Sequence, residues 1–154
     1  MRFALPGGAR VAVLNTHLDH AGEPARRAGA ALLLRRAQFE AANGVPALLA
    51  GDFNSPPDGP DAGAYEIATG ARTPGPLPAE FCDRFPTAPG RARAPLLDLR
   101  GAAPPLHVRG GFATYTGWGG PGATREWTRI DFVFGSGGDW CVHICSGRGV
   151  ERGG

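Results

Sequence analysis

Apolar residues in this chain fall into short runs, each cut off by glycine or proline, and the period changes from run to run. Val45 to Ala50 is brief, uncharged and bounded by Pro46 and Gly51, the pattern of a buried strand. Phe3 to Leu5 and Val11 to Leu14 flank Pro6-Gly7-Gly8 and predict a hairpin of two apolar strands. Met1 then falls at or inside a strand, so further sequence upstream is expected. From Pro24 to Ala42 the period becomes helical: Pro24 suits a first turn, Glu23 sits beside the positive end of the dipole, and Gly44 with Pro46 supplies the stop. Ala28, Ala31, Leu32, Phe39 and Ala42 mark its apolar face, interrupted by Arg35, with the arginines expected in solvent. Asp61 to Thr69 predicts a short helix closed by Gly70. Residues 71 to 95, rich in Pro, Ala, Gly and Arg, predict a long surface connection with one ordered piece around Phe81 to Phe85. Arg129 to Phe134 alternates again, with Ile130, Phe132 and Phe134 on one face and Asp131 on the other.

Composition narrows this pattern to one domain. The chain has 154 residues, 42% of them apolar, which suffices for a single core. All 16 basic residues are arginine against 14 acids, a net charge of +2 that argues against a polybasic nucleic-acid arm. The absence of lysine beside 25 glycines and 15 prolines reads as base-composition bias, so charge does not identify a partner. Cys82, Cys141 and Cys145 are odd in number and scattered, which does not make a disulfide framework. Met1-Arg2 is followed by only a few apolar residues before Pro6, unlike a secretory leader, and no run approaches the roughly 20 apolar residues that span a bilayer. The chain is therefore read as soluble, and cytoplasmic by default.

The candidate chemistry sits where apolar runs end. If extended geometry persists through Gly51-Asp52-Phe53-Asn54, then Asp52 and Asn54 share one face and Phe53 points into the packing. A carboxylate beside an amide can hold a hard divalent cation, orient water or hydrogen-bond a phosphoryl oxygen. An Asp/Asn turn closing the strand is the alternative. Upstream, Asn15-Thr16-His17-Leu18-Asp19-His20 presents Asn15, His17 and Asp19 on one face, with Asp19 and His20 read as rim residues.

These two stretches and Arg129-Ile130-Asp131-Phe132-Val133-Phe134, in this order, resemble the endonuclease/exonuclease/phosphatase superfamily with its DNase I-like fold, from about Phe3 to Phe134. The resemblance implies an α/β chain that supplies part of a two-sheet sandwich, mostly its second half: a partial domain over residues 1–134, and a divergent, disordered Gly/Arg-rich tail over 135–154. It implies a Mg²⁺- or Mn²⁺-dependent phosphoesterase that hydrolyses a phosphodiester or phosphomonoester with activated water. In it His17 hydrogen-bonds the scissile phosphate, Asp52 is metal-associated or activates water, Asn54 is a second donor, and Asp131 orients a catalytic histidine. Asn15 is placed as a substrate contact. Thr114-Tyr115-Thr116-Gly117-Trp118 resembles the Thr-Phe-x-Gly-aromatic segment ahead of the Ile-Asp strand, which makes Trp118 a substrate contact too.

The departures from the family matter as much. Its metal-ligating Glu belongs to strands that would precede Phe3, and its closing Ser-Asp-His is replaced by Gly135-Ser136-Gly137-Gly138-Asp139-Trp140. His143 is the only downstream histidine, and Cys141-x-His143-x-Cys145 offers three zinc ligands without a fourth. The chain alone is therefore expected to be inactive, with a non-catalytic domain that binds a phosphate ligand or a partner as the alternative. Nucleic acid, phospholipid headgroups and nucleotides all remain open as substrates. A sandwich lacking its first sheet leaves an exposed face, with Leu14, Leu48, Ile130 and Phe132 partly uncovered and self-association through the sheet expected.

Overall fold

The computed structural model describes residues 1–87, 94–117 and 127–136. β1 (Arg2–Ala4) turns through a 3-10 turn at Pro6–Gly8 into the antiparallel β2 (Arg10–His17), with Phe3 opposite Val11. α1 (Glu23–Ala42) then carries the chain across to β3 (Ala47–Asp52), parallel to β2, as a parallel pair requires. α2 (Gly63–Thr69), α3 (Ala79–Arg84), β4 (Leu96–Asp98), α4 (Leu99–Ala102) and β5 (Asp131–Ser136) follow. The strands form one five-stranded mixed sheet in the order β1-β2-β3-β5-β4, with β5 antiparallel to both neighbours. The predicted central strand is thus the middle of the sheet, and the α/β reading holds.

Strand alternation divides the sheet into two unlike faces. Ala12, Ala47, Leu49, Leu96, Phe132 and Phe134 are buried on one, beneath Ala30, Ala31, Leu34 and Ala37 of α1 and Ala64, Ile67 and Ala68 of α2. Phe53, fully buried as its pattern predicts, packs edge-on against Phe132 and Phe134 with ring centroids 5.8 and 5.1 Å away. Burying one such ring is worth roughly 1.5 to 3 kcal/mol. On the other face the short α4 and the segment after it lie beside β5 near Asp131 and Val133, and Phe3, Leu97 and Val133 remain 45%, 44% and 46% exposed. β2 and β3 approach so closely that a Cβ on Gly51, whose φ is +144°, would lie 1.9 Å from the Thr16 carbonyl oxygen. Only glycine fits that position.

Several residues lie elsewhere than the sequence pattern predicts. The buried stripe of α1 runs through Arg26, Ala30, Ala31, Leu34, Ala37, Gln38 and Glu40, while Ala28 and Ala42 are exposed. Nor are its arginines all in solvent. Arg26, 3% exposed, donates to Glu23, to Asp61 and to the carbonyls of Asp19 and His20. Glu40, 1% exposed, is held between Arg2 and Arg36. Carbonyls and carboxylates around Arg26, and two guanidinium groups around Glu40, supply the partners that let these charges be buried. Of the four residues expected to be uncovered, Ile130 and Phe132 are buried and Leu14 packs against the core on the helical side. Only Leu48, of opposite parity, belongs to the open face. β5 continues through Gly135 and Ser136, whose hydroxyl accepts the Ala47 N–H at 2.7 Å, so the sheet extends two residues into the stretch predicted as tail. The remainder of that stretch, with Cys141, His143 and Cys145, lies outside the described residues. No helix among the described residues is long and apolar enough to cross a membrane.

Candidate active site

Three adjacent strands bring three candidate residues into one row. His17 is registered against Asp52 across the parallel β2–β3 pair, and Asp52 against Asp131 across the antiparallel β3–β5 pair. Matching register puts all three side chains on the open face, at the end of the sheet where β2 and β3 terminate. The His17 Nε2 lies 3.4 Å from Asp52 Oδ2, with the imidazole 74% exposed and the carboxylate 27% exposed. Directly opposed residues of an antiparallel pair have Cα atoms about 4.5 to 5.5 Å apart, so Asp52 and Asp131 are like charges at close quarters.

Asp52 divides its two oxygens. Oδ1 accepts the Asn54 N–H at 2.8 Å, which closes an Asx turn, while Oδ2 faces His17. That turn corrects the extended reading of Gly51 to Asn54. β3 ends at Asp52, and Asn54 takes a left-handed φ of +47°, a conformation asparagine tolerates better than most residues. The Asn54 Nδ2 donates to the Leu18 carbonyl at 2.9 Å, and the Leu18 N–H donates to the Asp52 carbonyl at 2.9 Å. The turn reading and the site reading of Asp-Phe-Asn are therefore compatible: the turn's own bonds tie the ends of β2 and β3 together.

Asn15 lies on the same face two residues behind His17, its Nδ2 bonded to the Ala50 carbonyl at 3.2 Å. Asp19 and His20 sit at the rim. The Asp19 Oδ1 accepts the backbone N–H groups of Gly22 and Ala21, and those two bonds, Gly22 first, hold its carboxyl below the ordinary value of 3.8. Asp131, expected beside a catalytic histidine, is exposed, and its side chain has no hydrogen-bond partner among the described residues; the carboxylate nearest His17 is Asp52. Trp118 lies outside the described residues.

Two supports of the row carry no signal in the sequence pattern. The Thr114 hydroxyl oxygen accepts the N–H groups of Ile130 and Asp131 at 3.0 and 3.1 Å, which fixes where β5 begins. Arg129 forms a two-pronged pair with Asp98 at 2.8 and 2.6 Å, with its guanidinium 4.4 Å from the centre of the Phe132 ring. The Tyr65 hydroxyl donates to the same Asp98 at 3.3 Å, and burial first, then Asp98, raises its pKa above 10.0.

The sequence model of the Endonuclease/Exonuclease/phosphatase family matches residues 1–151, and the chain belongs to that family. The match runs past Phe134, beyond the limit set by the motifs alone. Among curated proteins no sequence matches significantly. Two solved structures from Bacteroides thetaiotaomicron are similar. One is an endonuclease/exonuclease/phosphatase family protein, at 21% identity and TM-score 0.46, covering 85% of this chain and 37% of its own. The other is a mannosyl-6-phosphatase, at 21% identity and TM-score 0.47, covering 84% of this chain and 38% of its own. The chain thus spans less than two fifths of the length of either.

Proposed function

We propose that this chain carries one side of a divalent-metal-dependent phosphoesterase site, and that it hydrolyses a phosphodiester or phosphomonoester only when the rest of such a site is supplied. The single observation that carries this reading is the cross-strand row His17, Asp52 and Asp131 in a chain of this family. His17 serves as hydrogen-bond donor to a phosphoryl oxygen, and Asp52, facing its Nε2, orients the imidazole. Asn54, held through one amide N–H by the Leu18 carbonyl, keeps its other N–H for the same phosphoryl group.

The donor set fits a Mg²⁺ or Mn²⁺ ion. Asp52 and Asp131 are hard oxygen donors opposed on one face, and Mg²⁺ characteristically takes one or two carboxylates and keeps several waters. No group of three or more His, Cys, Asp or Glu able to hold a metal occurs among the described residues. Asp52 and Asp131 would therefore hold the ion weakly by themselves. When bound, it offsets charge on the phosphoryl and leaving oxygens.

That sparse donor set also favours a second reading, a non-catalytic domain that binds a phosphorylated ligand. Mn²⁺ titration followed by electron paramagnetic resonance, with parallel assays on bis(4-nitrophenyl) phosphate, separates the two. The phosphoesterase reading expects weak Mn²⁺ binding that is lost when Asp52→Asn and Asp131→Asn are combined, with negligible turnover by the chain alone. Mn²⁺ binding indifferent to both carboxylates overturns it.

A further inference from the structure

On the helical side of the sheet, away from the row, the segment after α2 crosses the groove between α1 and α2 and leaves a cleft of about 350 Å³, within the range of small-molecule sites. Ala28 and Ala31 of α1, Ile67 of α2 and Pro76 of the crossing segment give it apolar walls, and Arg27 and Arg72 line it as well. Ile67, Arg72 and Thr73 also line an adjoining cavity of about 290 Å³, so open space continues past the crossing segment.

Both arginines are fixed through one nitrogen and leave the others unused. The Arg72 Nε donates to Glu66 at 2.6 Å, and the Arg27 Nε lies 3.7 Å from Glu23. Neither guanidinium has a further partner among the described residues, and the side chains are 45% and 40% exposed. The stem of Arg27 is held too, because Gly63 of α2 lets it come close: a Cβ there would lie 2.7 Å from Arg27 Cδ. Two guanidinium groups with unused terminal N–H donors thus share one apolar cleft. Its cover is soft. Thr73 to Leu77 make no hydrogen bond among the described residues, and Leu77 alone of them packs against the core, so the segment can shift to admit a ligand at little cost.

We propose that this cleft binds an amphipathic monoanion, a carboxylate carried on a short hydrocarbon chain. The guanidinium fork matches a carboxylate, and a cation already positioned by its neighbours loses little freedom on binding. The apolar walls take the hydrocarbon chain. Glu23 and Glu66 already offset the two arginines, so the single charge of a carboxylate is accommodated more easily than the double charge of a phosphate. The site lies across the sheet from His17, Asp52 and Asp131, and does not depend on the phosphoesterase reading.

The test is calorimetric titration of the full chain at neutral pH with octanoate and with its uncharged counterpart, 1-octanol. Octanoate is expected to bind about tenfold tighter, the size of one charge-assisted hydrogen bond. Arg27→Gln combined with Arg72→Gln should bring the two ligands close to equal affinity; both side chains are half-exposed and their ion pairs contribute little to stability, so the variant is expected to fold. Ala28→Phe fills the cleft from an exposed position and should weaken both ligands about tenfold, while Val133→Lys, on the open face of the sheet, should leave both unchanged. Equal affinities in the unmodified chain, or a preference untouched by the double arginine variant, overturn the proposal. Binding that survives Ala28→Phe but is lost in Val133→Lys also overturns it, by placing the ligand on the open face.

Discussion

His17 and Asp52 meet across a parallel strand pair, Nε2 to Oδ2 at 3.4 Å, and each is the last residue of its strand. The contact is exposed on the histidine side, so its static worth is small. Its value lies in orientation. In a catalytically complete form of the protein, Asp52→Ala is expected to lower kcat by roughly 10²-fold, the scale of losing one preorganised transition-state contact. Steady-state kinetics with a nitrophenyl phosphodiester checks this, and near-normal kcat would return Asp52 to a turn residue alone.

Asn54 should separate activity from stability. Asn54→Ala loses the bond to the Leu18 carbonyl and forces alanine into the left-handed region, together about 2 kcal/mol. Asn54→Gly keeps the backbone at ease and loses about 1 kcal/mol. Urea melts should rank the two in that order. If the amide touches substrate, both variants lose activity to the same extent; activity that instead tracks stability marks a purely structural asparagine.

Arg129 and Asp98 are both largely buried, at 6% and 10% side-chain exposure. Arg129→Met strands the carboxylate, and breaking a buried pair from one side costs roughly 3 to 5 kcal/mol. Adding Asp98→Asn should recover part of that loss, because it removes the charge but keeps an oxygen to cap α4. Denaturation of the two single variants and the double variant measures the coupling. Additive losses would show that the pair does not act as a unit.

Two groups give stability opposite slopes with pH. The Asp19 carboxyl is lowered by the Gly22 and Ala21 N–H bonds, so its contribution is present above the unfolded value near 3.8 and is lost as pH falls through the lower folded value. Asp19→Asn should flatten the acid limb of a plot of melting temperature against pH. Tyr65 is raised, by burial and then by Asp98, so its contribution is full below 10.0 and is lost as pH rises through the higher folded value. Tyr65→Phe should flatten the alkaline limb. Unchanged limbs would remove these groups from the linkage.

The open face carries Phe3, Leu97 and Val133 beside Leu48, enough apolar surface to affect a net stability of ~5 to 15 kcal/mol. We expect the isolated chain to bind a hydrophobic dye and to self-associate through this face, and Val133→Lys to reduce both. A sharp monomeric melt without dye binding would show a self-contained fold.

What could be read from the sequence was local. The apolar run at Val45 to Ala50, the helical period after Pro24 and the alternation around Asp131 place the strands and the crossover, because each follows from backbone period alone. The row His17, Asp52 and Asp131 was legible as three motif residues, but their register was not, since it depends on pairing between segments separated by many residues. Arg26 is buried where a solvated arginine is expected, and the burial of Glu40 has no sequence signal, because a charged residue in a helical pattern looks the same in solvent or in a buried network; the partners Asp61 and Arg2 are distant in the chain. Asn54 was placed on an extended strand, where the competing preference of Asp-x-Asn for a turn prevailed. Arg129 with Asp98, and Thr114 under Asp131, leave no periodic trace.

Gly51 gives the site a spacer made of nothing. With no side chain at that position, the Thr16 carbonyl rests against bare backbone one residue before the level of His17 and Asp52. A single methyl group there would pry the two strands apart at the point where the imidazole and the carboxylate are brought into range. A Gly51→Ala chain would accordingly behave like one with an injured catalytic group while keeping every polar atom of the row. Screens that score only chemically active positions would overlook it.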